Sequence, residues 1–515
     1  MKNSRTKKFF YNSLSTAMLQ LTNMIIGFLL PRLMLKFYGS EINGLVTSIT
    51  QFISYFNIVE AGLAGAAVYA LYKPLAEKDT KQISKVVSTT KNFYIKSGFI
   101  FVCLVLLLAI IYPIFASVDS LNYIDIFFLV IILGSSGFLD FFTLSKYRVL
   151  LTADQKIYVI SISSIIYYIV NTILIFIFTY LGFNIVIVRF VAIFAILLRS
   201  LILYFYTKKY YSNISFNEKS DKSLLNKRWD ALYLQLLGSV QLGAPIIILT
   251  IFSSAANLII VSIYSIYNIV LQGINNLLSI FISGLSASFG EIIVSNNQSK
   301  LQETSQEFEY IYYDVITLVY AVSFLLIMPF IKLYCANIND ANYYIPIVGA
   351  LFVINGLLYN IKTPQGMLVI SAGLYKETRV QSTIQGLIII IFGVLLVPKF
   401  GIIGILIANI LSNIYRDIDL MFFIPKNLTK LPVLNTLKRF IKIILLFVII
   451  VLFGSIINYN INNYFDFIIA GIIYCSLGAL IIIISDYIFE RDYLKKIIQR
   501  IRLILGVKNG KNNWK

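Results

Sequence analysis

The sequence predicts an all-α integral membrane protein with about 14 transmembrane helices, arranged as two pseudo-symmetric six-helix lobes followed by two further helices. Three observations lead to this fold class. Of the 515 residues, 58% are hydrophobic and only 13% are charged. Apolar runs of about 20 residues, the length that an α-helix needs to cross a bilayer, recur along the chain. Finally, similar motifs recur 219 residues apart.

The apolar segments give the elements in order. A sliding window of transmembrane length identifies spans at roughly 10–36, 41–72, 93–117, 122–146, 157–181, 184–207, 231–253, 257–289, 310–334, 343–368, 379–397, 400–424, 439–459 and 464–489. The loops between these spans are short, so we expect no soluble domain. After the last span, Leu494, Ile497, Ile498, Ile501 and Leu505 share one helical face, which predicts a basic amphipathic helix at the membrane surface.

The basic residues predict the orientation. With the N-terminus in the cytoplasm, the inner segments hold 36 of the 43 lysines and arginines, and the outer loops hold only Lys36, Lys332 and Lys399. The positive-inside rule therefore predicts a multi-pass plasma-membrane protein with both termini in the cytoplasm. The net charge of +19 is then a consequence of basic residues that face anionic lipid, and we expect no nucleic-acid partner.

An internal repeat predicts the two lobes. The segments LLTADQKIY and VISAGLYKET both connect spans on the inside, and Ala153 and Ala372 within them are 219 residues apart. Gly182 and Gly401 have the same separation. Six spans per copy give both copies one orientation, as in transporters built from parallel repeats, with a substrate path expected between the halves. The predicted domains are an N-lobe (1–208), a cytoplasmic linker (209–230), a C-lobe (231–425), two further spans (426–490) and a basic amphipathic tail (491–515).

Each half has a polar stripe in its second span. The side chains recur at helical spacing, which places them on one face. They are Thr47, Gln51 and Ser54 in the first half, and Asn268, Gln272, Asn275 and Asn276 in the second. Two interpretations stay open. The stripes either line a hydrated cavity, or they join packed helices by hydrogen bonds, as polar residues in membranes commonly do.

Charged residues inside the spans are the candidate site residues, because a charge in hydrocarbon needs a partner or a function. Arg32 and Arg189 lie near the outer ends of their spans, where they either reach the interface or face a cavity. Arg199 lies deeper, and we expect it to pair with Glu60 or Asp140.

The second half has a similar charged group in span 12, formed by Arg416, Asp417 and Asp419. These charges, with Glu60 and Asp140, are candidates either for locked ion pairs or for sites that take up a coupling ion. The sequence contains no histidine, and its three cysteines are scattered singly. It therefore predicts no metal site, no cofactor and no catalytic centre, and we expect the protein not to be an enzyme.

The order of several motifs resembles a known family over nearly the whole chain. The motifs are LPRLMLKFYGSEINGL, YFNIVEAGLAGAAVYAL, LLTADQKIYVIS, VSIYSIYNIV and KFGIIGILIANILSNI. Together with 14 spans, they resemble the Wzx-type lipid-linked oligosaccharide flippases, which are polysaccharide exporters. These belong to a MATE-like superfamily that also contains multidrug antiporters and peptidoglycan-precursor flippases.

This resemblance implies a substrate and a cavity. The substrate would be a polyprenyl pyrophosphate that carries an oligosaccharide repeat unit, moved from the inner to the outer leaflet for capsule, exopolysaccharide or O-antigen-like assembly. The resemblance also implies a cavity lined by cations, for which Arg32, Arg189 and Arg199 are the candidates, and a groove beside spans 13 and 14 for the lipid tail. Arg32 departs from the family pattern, because it directly follows Pro31. Membrane lipids, glycosyltransferases and a glycan polymerase would be the partners.

Two other transporters remain as alternatives: a cation-coupled multidrug antiporter of the MATE type and a peptidoglycan-precursor flippase. A membrane enzyme such as a glycan polymerase is a third, although such enzymes usually need a large outer loop or a catalytic histidine. The coupling ion, the membrane potential as an energy source, and the sugars of the substrate all stay open.

Overall fold

The computed structural model describes residues 2–60, 63–116, 118–218, 228–252, 258–283, 285–295, 297–457 and 459–504. In these ranges the fold is helical, which confirms the predicted all-α class. The helices are α1 (Lys2–Phe56), α2 (Leu63–Glu77), α3 (Thr80–Phe115), α4 (Tyr123–Leu139), α5 (Ser145–Ala153), α6 (Ile157–Tyr180), α7 (Ile185–Tyr210), α8 (Arg228–Phe252), α9 (Leu258–Ser283), α10 (Leu285–Val294), α11 (Gln298–Tyr334), α12 (Pro346–Ile361), α13 (Thr363–Ala372), α14 (Arg379–Phe400), α15 (Ile402–Ile424), α16 (Val433–Ile456), α17 (Tyr464–Phe489) and α18 (Arg491–Ile504).

The described part of the chain contains 11 helical segments that are long and apolar enough to cross a membrane. The protein is therefore a multi-pass membrane protein. Helix α15 has the length of a span, although it carries Arg416, Asp417 and Asp419. The predicted total of 14 spans stays a prediction.

The first two predicted spans lie in one helix with a sharp break. Gly39 in α1 has φ +80° and ψ 175°, so the chain leaves helical geometry there and a new helical segment begins at Ser40. A Cβ atom on Gly39 would lie 2.9 Å from Oδ2 of Asp340. That oxygen accepts a hydrogen bond from the backbone N–H of Ser40, and Oδ1 of Asp340 accepts one from the Ser40 hydroxyl. Asp340 thus caps the new segment from another part of the chain.

Three predicted spans are interrupted, and the interruptions position charged side chains. Span 2 was predicted to run over 41–72, but α1 ends at Phe56, and a 3₁₀ helix, Asn57–Glu60, ends at Glu60. Span 4 contains a π-helical turn, Asp140–Leu144, between α4 and α5. Span 10 breaks at Lys362 between α12 and α13, because Pro364 has no N–H to continue the helix.

Local features recur at the spacing of the predicted repeat. Gly182 and Gly401, which the sequence aligns, both follow the end of a helix and both have positive φ, +80° and +52°. Helices α3 and α11 are 36 and 37 residues long, and each begins after a side chain that caps its N-terminus, Asp79 in α3 and Asn297 in α11. These are similarities of local structure, and the division into lobes stays a prediction.

The chain divides into two compact units. Unit 1 comprises Met1–Ile269, Asn337–Ala341 and Ile389–Ile405. Its core is formed mainly by α1, α3, α4, α6 and α7, with fully buried side chains such as Leu45, Phe101 and Leu129. The start of the predicted linker belongs to this unit, because the backbone N–H of Glu218 donates a hydrogen bond to Ser88 in α3.

Unit 2 comprises Val270–Ala336, Asn342–Ile388 and Leu406–Lys515. Its long helix α11 packs against α12, α16 and α17. Two apolar clusters hold these helices together, one around Ile450 and one around Ala470. Helix α18 forms the start of the predicted basic tail. The side chains of Ile497, Ile498 and Ile501, together with residues 505–515, lie outside the described residues, so the predicted apolar face of this helix is untested.

Candidate intramembrane charge sites

Glu60 and Asp140 in unit 1 are bridged by one arginine. Arg148 Nη2 lies 3.1 Å from Glu60 Oε1, and its Nη1 lies 3.1 Å from Asp140 Oδ2. All three side chains are about a quarter exposed, at 22–28%. The π-helical turn that begins at Asp140 is a type of irregularity often found at functional sites. The three side chains form an ion-paired centre in unit 1.

This centre corrects one expectation. We expected Arg199 to pair with Glu60 or Asp140, but Arg148 occupies both acids. Arg148 was assigned to an inner loop on sequence grounds, because the π-helical turn that continues span 4 into α5 leaves no mark in the apolar pattern. The guanidinium of Arg199 lies 5.9 Å from the centre of the Tyr167 ring, and its Nε has no hydrogen-bond partner among the described residues.

Arg189 has an equally sparse environment. Its Nη2 lies 3.6 Å from Sδ of Met34, a weak acceptor, and its Nε has no partner among the described residues. Both Arg189 and Arg199 act electrostatically on Tyr167, which lies on the neighbouring helix α6. The two guanidinium groups thus keep hydrogen-bonding capacity that could serve an anion. Arg32 is exposed on α1.

We group Glu60, Asp140, Arg148, Arg189 and Arg199 as the unit 1 cluster, because Asp140, Arg189 and Arg199 all act electrostatically on Tyr167 and Arg148 bridges Asp140 to Glu60. Three arginines stand against two carboxylates, so the cluster has one surplus positive charge. In the low dielectric of a membrane protein such a surplus attracts anions. Among the described residues no group of three or more Cys, His, Asp and Glu side chains could hold a metal ion.

The polar stripes are placed less uniformly than the sequence suggested. In unit 1 the side chain of Gln51 packs so closely on Gly243 that a Cβ there would meet Nε2 at 2.2 Å, whereas Thr47 is half-buried and Ser54 is exposed. Asn268 is half-buried. In unit 2, Asn275 Oδ1 accepts hydrogen bonds from Asn360 and from Tyr320, which is the role of a residue that joins helices.

The remaining stripe residues, Gln272 and Asn276, are exposed in unit 2. A hydrated cavity lined by these side chains stays a prediction.

The charged group of α15 separates into two parts. Arg416 Nη1 lies 2.6 Å from Asp419 Oδ2, one helical turn away. Asp417 points elsewhere: it is 5% exposed, and neither carboxylate oxygen has a hydrogen-bond partner among the described residues. Lys362 is the charged group that acts on it.

Unit 2 contains a larger charged cluster that was not predicted from the sequence. Lys442 Nζ lies 2.5 Å from Asp486, 2.6 Å from Glu490 and 3.2 Å from Asp314. Arg439 lies 3.2 Å from Glu309 and 3.3 Å from Glu490. These six side chains form the unit 2 cluster. Two cations stand against four carboxylates, so its surplus is negative.

Sequence reasoning missed this cluster because its members were placed at span ends and in inner loops. Arg439 and Lys442 were counted among loop cations, and Glu309, Asp486 and Glu490 lie at the inner ends of predicted spans. The available signal was their spacing: Arg439 and Lys442 are three residues apart, and Asp486 and Glu490 are four residues apart. Such pairs share a helical face. The Tyr310 hydroxyl donates to Asp486 at 2.6 Å.

A groove in unit 2 runs beside the unit 2 cluster. It has a volume of about 960 Å³ and is bordered by α11, α16, α17 and α18. Its apolar lining comes mainly from α16 and α17, and includes Leu445, Ile449, Ile481, Ile484 and Ile488. Four cationic side chains also border it, together with two acids: Lys438, Arg439, Lys442 and Arg491, with Glu490 and Asp492.

Outside the spans, the loop after α5 is held by polar contacts within unit 1. Asn12 in α1 donates to the backbone carbonyl of Gln155 at 2.9 Å and accepts from the N–H of Tyr158. The Tyr211 hydroxyl donates to Asp154 at 2.5 Å. Burial and this carboxylate raise the pKa of Tyr211 above its usual value, so the phenol stays protonated at neutral pH.

Comparison with known proteins places the fold. No family model matches the chain, and no curated protein matches its sequence. Solved structures do match. The lipid II flippase MurJ in an inward closed conformation has a TM-score of 0.70 at 17% identity and covers 94% of this chain and 99% of its own. An inward-facing multidrug resistance MATE family transporter of the MOP superfamily has a TM-score of 0.66 at 14% identity, covering 79% and 95%.

A third structure has the same fold with a different pocket. It is a MOP-superfamily transporter from Pyrococcus furiosus, for which reverse polarity of the binding pocket suggests a different function. It matches with a TM-score of 0.52 at 13% identity and covers 81% of this chain and 94% of its own. At these identities the likeness establishes a shared fold. The chain has the fold of MOP-superfamily transporters such as these.

Proposed function

We propose that this protein is a flippase for polyprenyl-pyrophosphate-linked oligosaccharides. It would move repeat units from the inner to the outer leaflet of the plasma membrane by alternating access, for assembly of a capsule, exopolysaccharide or O-antigen-like glycan. The observation that carries the proposal is the surplus positive charge of the unit 1 cluster, in which the Nε atoms of Arg189 and Arg199 have no hydrogen-bond partner among the described residues.

Arginine suits this substrate chemically. A pyrophosphate headgroup cannot enter hydrocarbon unaided, and a guanidinium offers it both charge and forked hydrogen bonds. Arg148 bridges Glu60 and Asp140 and offsets one of their two negative charges, so Arg189 and Arg199 together still leave one surplus positive charge. A cationic drug would instead meet an unfavourable site. The fold leaves room for either polarity, since one neighbour has a binding pocket of reverse polarity.

The groove in unit 2 supports the lipid part of the proposal. Its aliphatic walls on α16 and α17 suit a polyprenyl chain, and Lys438 and Arg491, the two border cations outside the unit 2 cluster, suit an anionic headgroup. The likeness to the lipid II flippase over 94% of this chain fits a lipid-linked substrate. Membrane lipids would surround the protein, and glycosyltransferases and a glycan polymerase would act before and after it. The cytoplasmic location of both termini is part of the same proposal.

Reconstitution tests the proposed activity directly. Purified protein in liposomes should expose a fluorescent polyprenyl-pyrophosphate disaccharide to a membrane-impermeant quencher faster than empty liposomes do. A matched polyprenyl monophosphate without sugar is the control for non-specific lipid scrambling. Equal rates for both lipids, or no rate above that of empty liposomes, would contradict the proposal.

Two rival functions rest on the same fold. A MATE-type multidrug antiporter is favoured by the likeness to that family, and a peptidoglycan-precursor flippase by the likeness to the lipid II flippase. Deletion of the gene separates the three. Loss of surface polysaccharide alone supports our proposal, increased drug sensitivity supports the antiporter, and loss of viability supports the precursor flippase.

A further inference from the structure

Asp417 is the most isolated carboxyl group among the buried acids of unit 2. Asn409, Asn413 and Asp417 lie four residues apart on one face of α15, and all three are at most 6% exposed. Both carboxyl oxygens of Asp417 lack a hydrogen-bond partner among the described residues, and so does the side-chain oxygen of Asn409. An ionised carboxylate in such a place would lack the hydrogen bonds that normally offset its desolvation.

Lys362 is close enough to act on Asp417, yet it bonds to a neutral group. Its Nζ donates to Asn413 Oδ1 at 2.5 Å and lies 4.7 Å from the centre of the Tyr359 ring. Asn413 in turn donates to Asn355 at 2.9 Å. An ammonium beside an ionised carboxylate would gain more by bonding to it than to an amide oxygen. The observed arrangement is the one expected when Asp417 is neutral.

The other charged and titratable groups around Asp417 do not supply its missing partner. On α15, Arg416 bonds to Asp419 at 2.6 Å. From α11, Tyr313 lies within the field of Asp417, but its hydroxyl donates to the carbonyl of Ile361. Among the described groups that act on Asp417, Lys362 is therefore the one able to neutralise an ionised carboxylate.

We propose that Asp417 is a proton-binding site in unit 2 and that Lys362 replaces the proton when the carboxyl group ionises. In the ionisation step the O–H bond of the acid breaks, the proton leaves to solvent, and its electron pair stays on the carboxylate. The Lys362 ammonium keeps its own protons and moves from Asn413 to the new carboxylate. The break between α12 and α13 places Lys362 at the junction of two helices rather than inside a continuous helix.

Release and uptake of this proton would accompany the transport cycle. This coupling rests on the proposed function, whereas the existence of the protonation site does not. Protonated Asp417 and ionised Asp417 paired with Lys362 are two arrangements of the same helices. Such a two-state element can couple ion binding to a conformational change. Arg416 and Asp419, already paired, offer no comparable switch.

Infrared difference spectroscopy on the purified full-length protein tests the site without any substrate. Subtracting the spectrum of Asp417→Asn from that of the wild type should reveal the C=O stretching band of a protonated carboxylic acid. The band should shift in D₂O and disappear as the pH is raised. Asp419→Asn is the matched control, because subtracting it should remove a carboxylate band only. Absence of an Asp417 acid band at every pH would overturn the proposal.

Lys362→Met tests the role of the lysine. Without the ammonium, ionised Asp417 loses its partner, so the acid band should persist to a pH about one unit higher or more. An unchanged pH dependence would contradict the exchange. A sodium ion at the site would give a different pattern: no acid band, and a thermal stabilisation of the wild type but not of Asp417→Asn when sodium chloride replaces choline chloride. That outcome would also overturn the proposal. An acid band in a protein that moves no lipid-linked oligosaccharide would refute the proposed function alone.

Discussion

Unit 1 and unit 2 each bury a cluster of charged side chains within their helices, and the two clusters are unbalanced in opposite directions. In unit 1, three arginines stand against Glu60 and Asp140. In unit 2, Arg439 and Lys442 stand against four carboxylates. Buried charges are costly unless they are paired. Each surplus therefore implies a partner of opposite charge that the cluster itself does not supply.

The two surpluses differ in how they are arranged. In unit 1 the surplus lies on Arg189 and Arg199, which take no part in the Arg148 ion pairs and whose Nε atoms have no hydrogen-bond partner in the part of the chain that the structure describes. In unit 2 the surplus is shared, because three carboxylates surround one ammonium, Lys442. The first arrangement can accept an anion without disturbing the existing ion pairs. The second holds α11, α16, α17 and the start of α18 together and depends on its few cations.

The largest expected effect follows from that dependence. Lys442→Met leaves Asp314, Asp486 and Glu490 without their shared cation and should destabilise the protein by about 3–5 kcal/mol. Asp314→Asn is the control: Lys442 keeps its two shorter contacts, so the loss should be at most about 1 kcal/mol. Thermal unfolding in detergent measures both. Equal losses would show that the two signs of charge are equally important in unit 2.

The next effect concerns transport and unit 1. Arg199→Ala should lower the flipping rate in proteoliposomes about tenfold to hundredfold, the equivalent of one charge-assisted hydrogen bond of about 1.5–3 kcal/mol. Arg199→Lys should retain part of the rate, because it keeps the charge and loses the fork. Protein level and unfolding temperature should be unchanged in both variants. Normal transport in both would remove Arg199 from the site, and a loss that follows protein level would assign it a structural role.

The fold class and some of the charged site residues could be predicted from the sequence. Apolar length and the distribution of lysine and arginine predicted a helical membrane protein, because a bilayer imposes both patterns on any chain that crosses it. Glu60, Asp140 and Asp417 were identifiable as candidates because a charge inside an apolar run is conspicuous.

Their partners were not identifiable. Arg148 and Lys362 lie next to helix interruptions, where a π-helical turn and a proline shift the register of the helix, and such shifts leave no periodic trace. The unit 2 cluster is assembled from the ends of several helices that are far apart in sequence, so only tertiary packing brings Glu309 and Arg439 together. The sequence therefore located single charges but not their pairing.

A smaller effect is expected at the ion-paired centre of unit 1. Arg148→Met leaves Glu60 and Asp140 unpaired, but their side chains are about a quarter exposed, and Arg199 lies within the field of Asp140. The loss of unfolding free energy should be about 1–3 kcal/mol, below that of Lys442→Met. Adding Asp140→Asn to Arg148→Met should recover part of the loss. A further loss in the double variant would mean that Asp140 has another stabilising role.

The smallest effect is expected where charges are exposed. Lys496 on α18 lies 2.7 Å from Glu303 and 3.7 Å from Glu307, close in geometry to the pairs of unit 2, but its side chain is 48% exposed. The Glu303 carboxylate raises the pKa of Lys496, so this lysine stays protonated at neutral pH. Water and salt screen such a pair. Lys496→Ala should therefore leave the unfolding temperature unchanged within error, both at low salt and at about 0.5 M salt. Salt at a concentration of that order screens exposed charges from one another. A drop comparable to that of Lys442→Met would mean that contact geometry, rather than burial, decides which ion pairs hold unit 2 together.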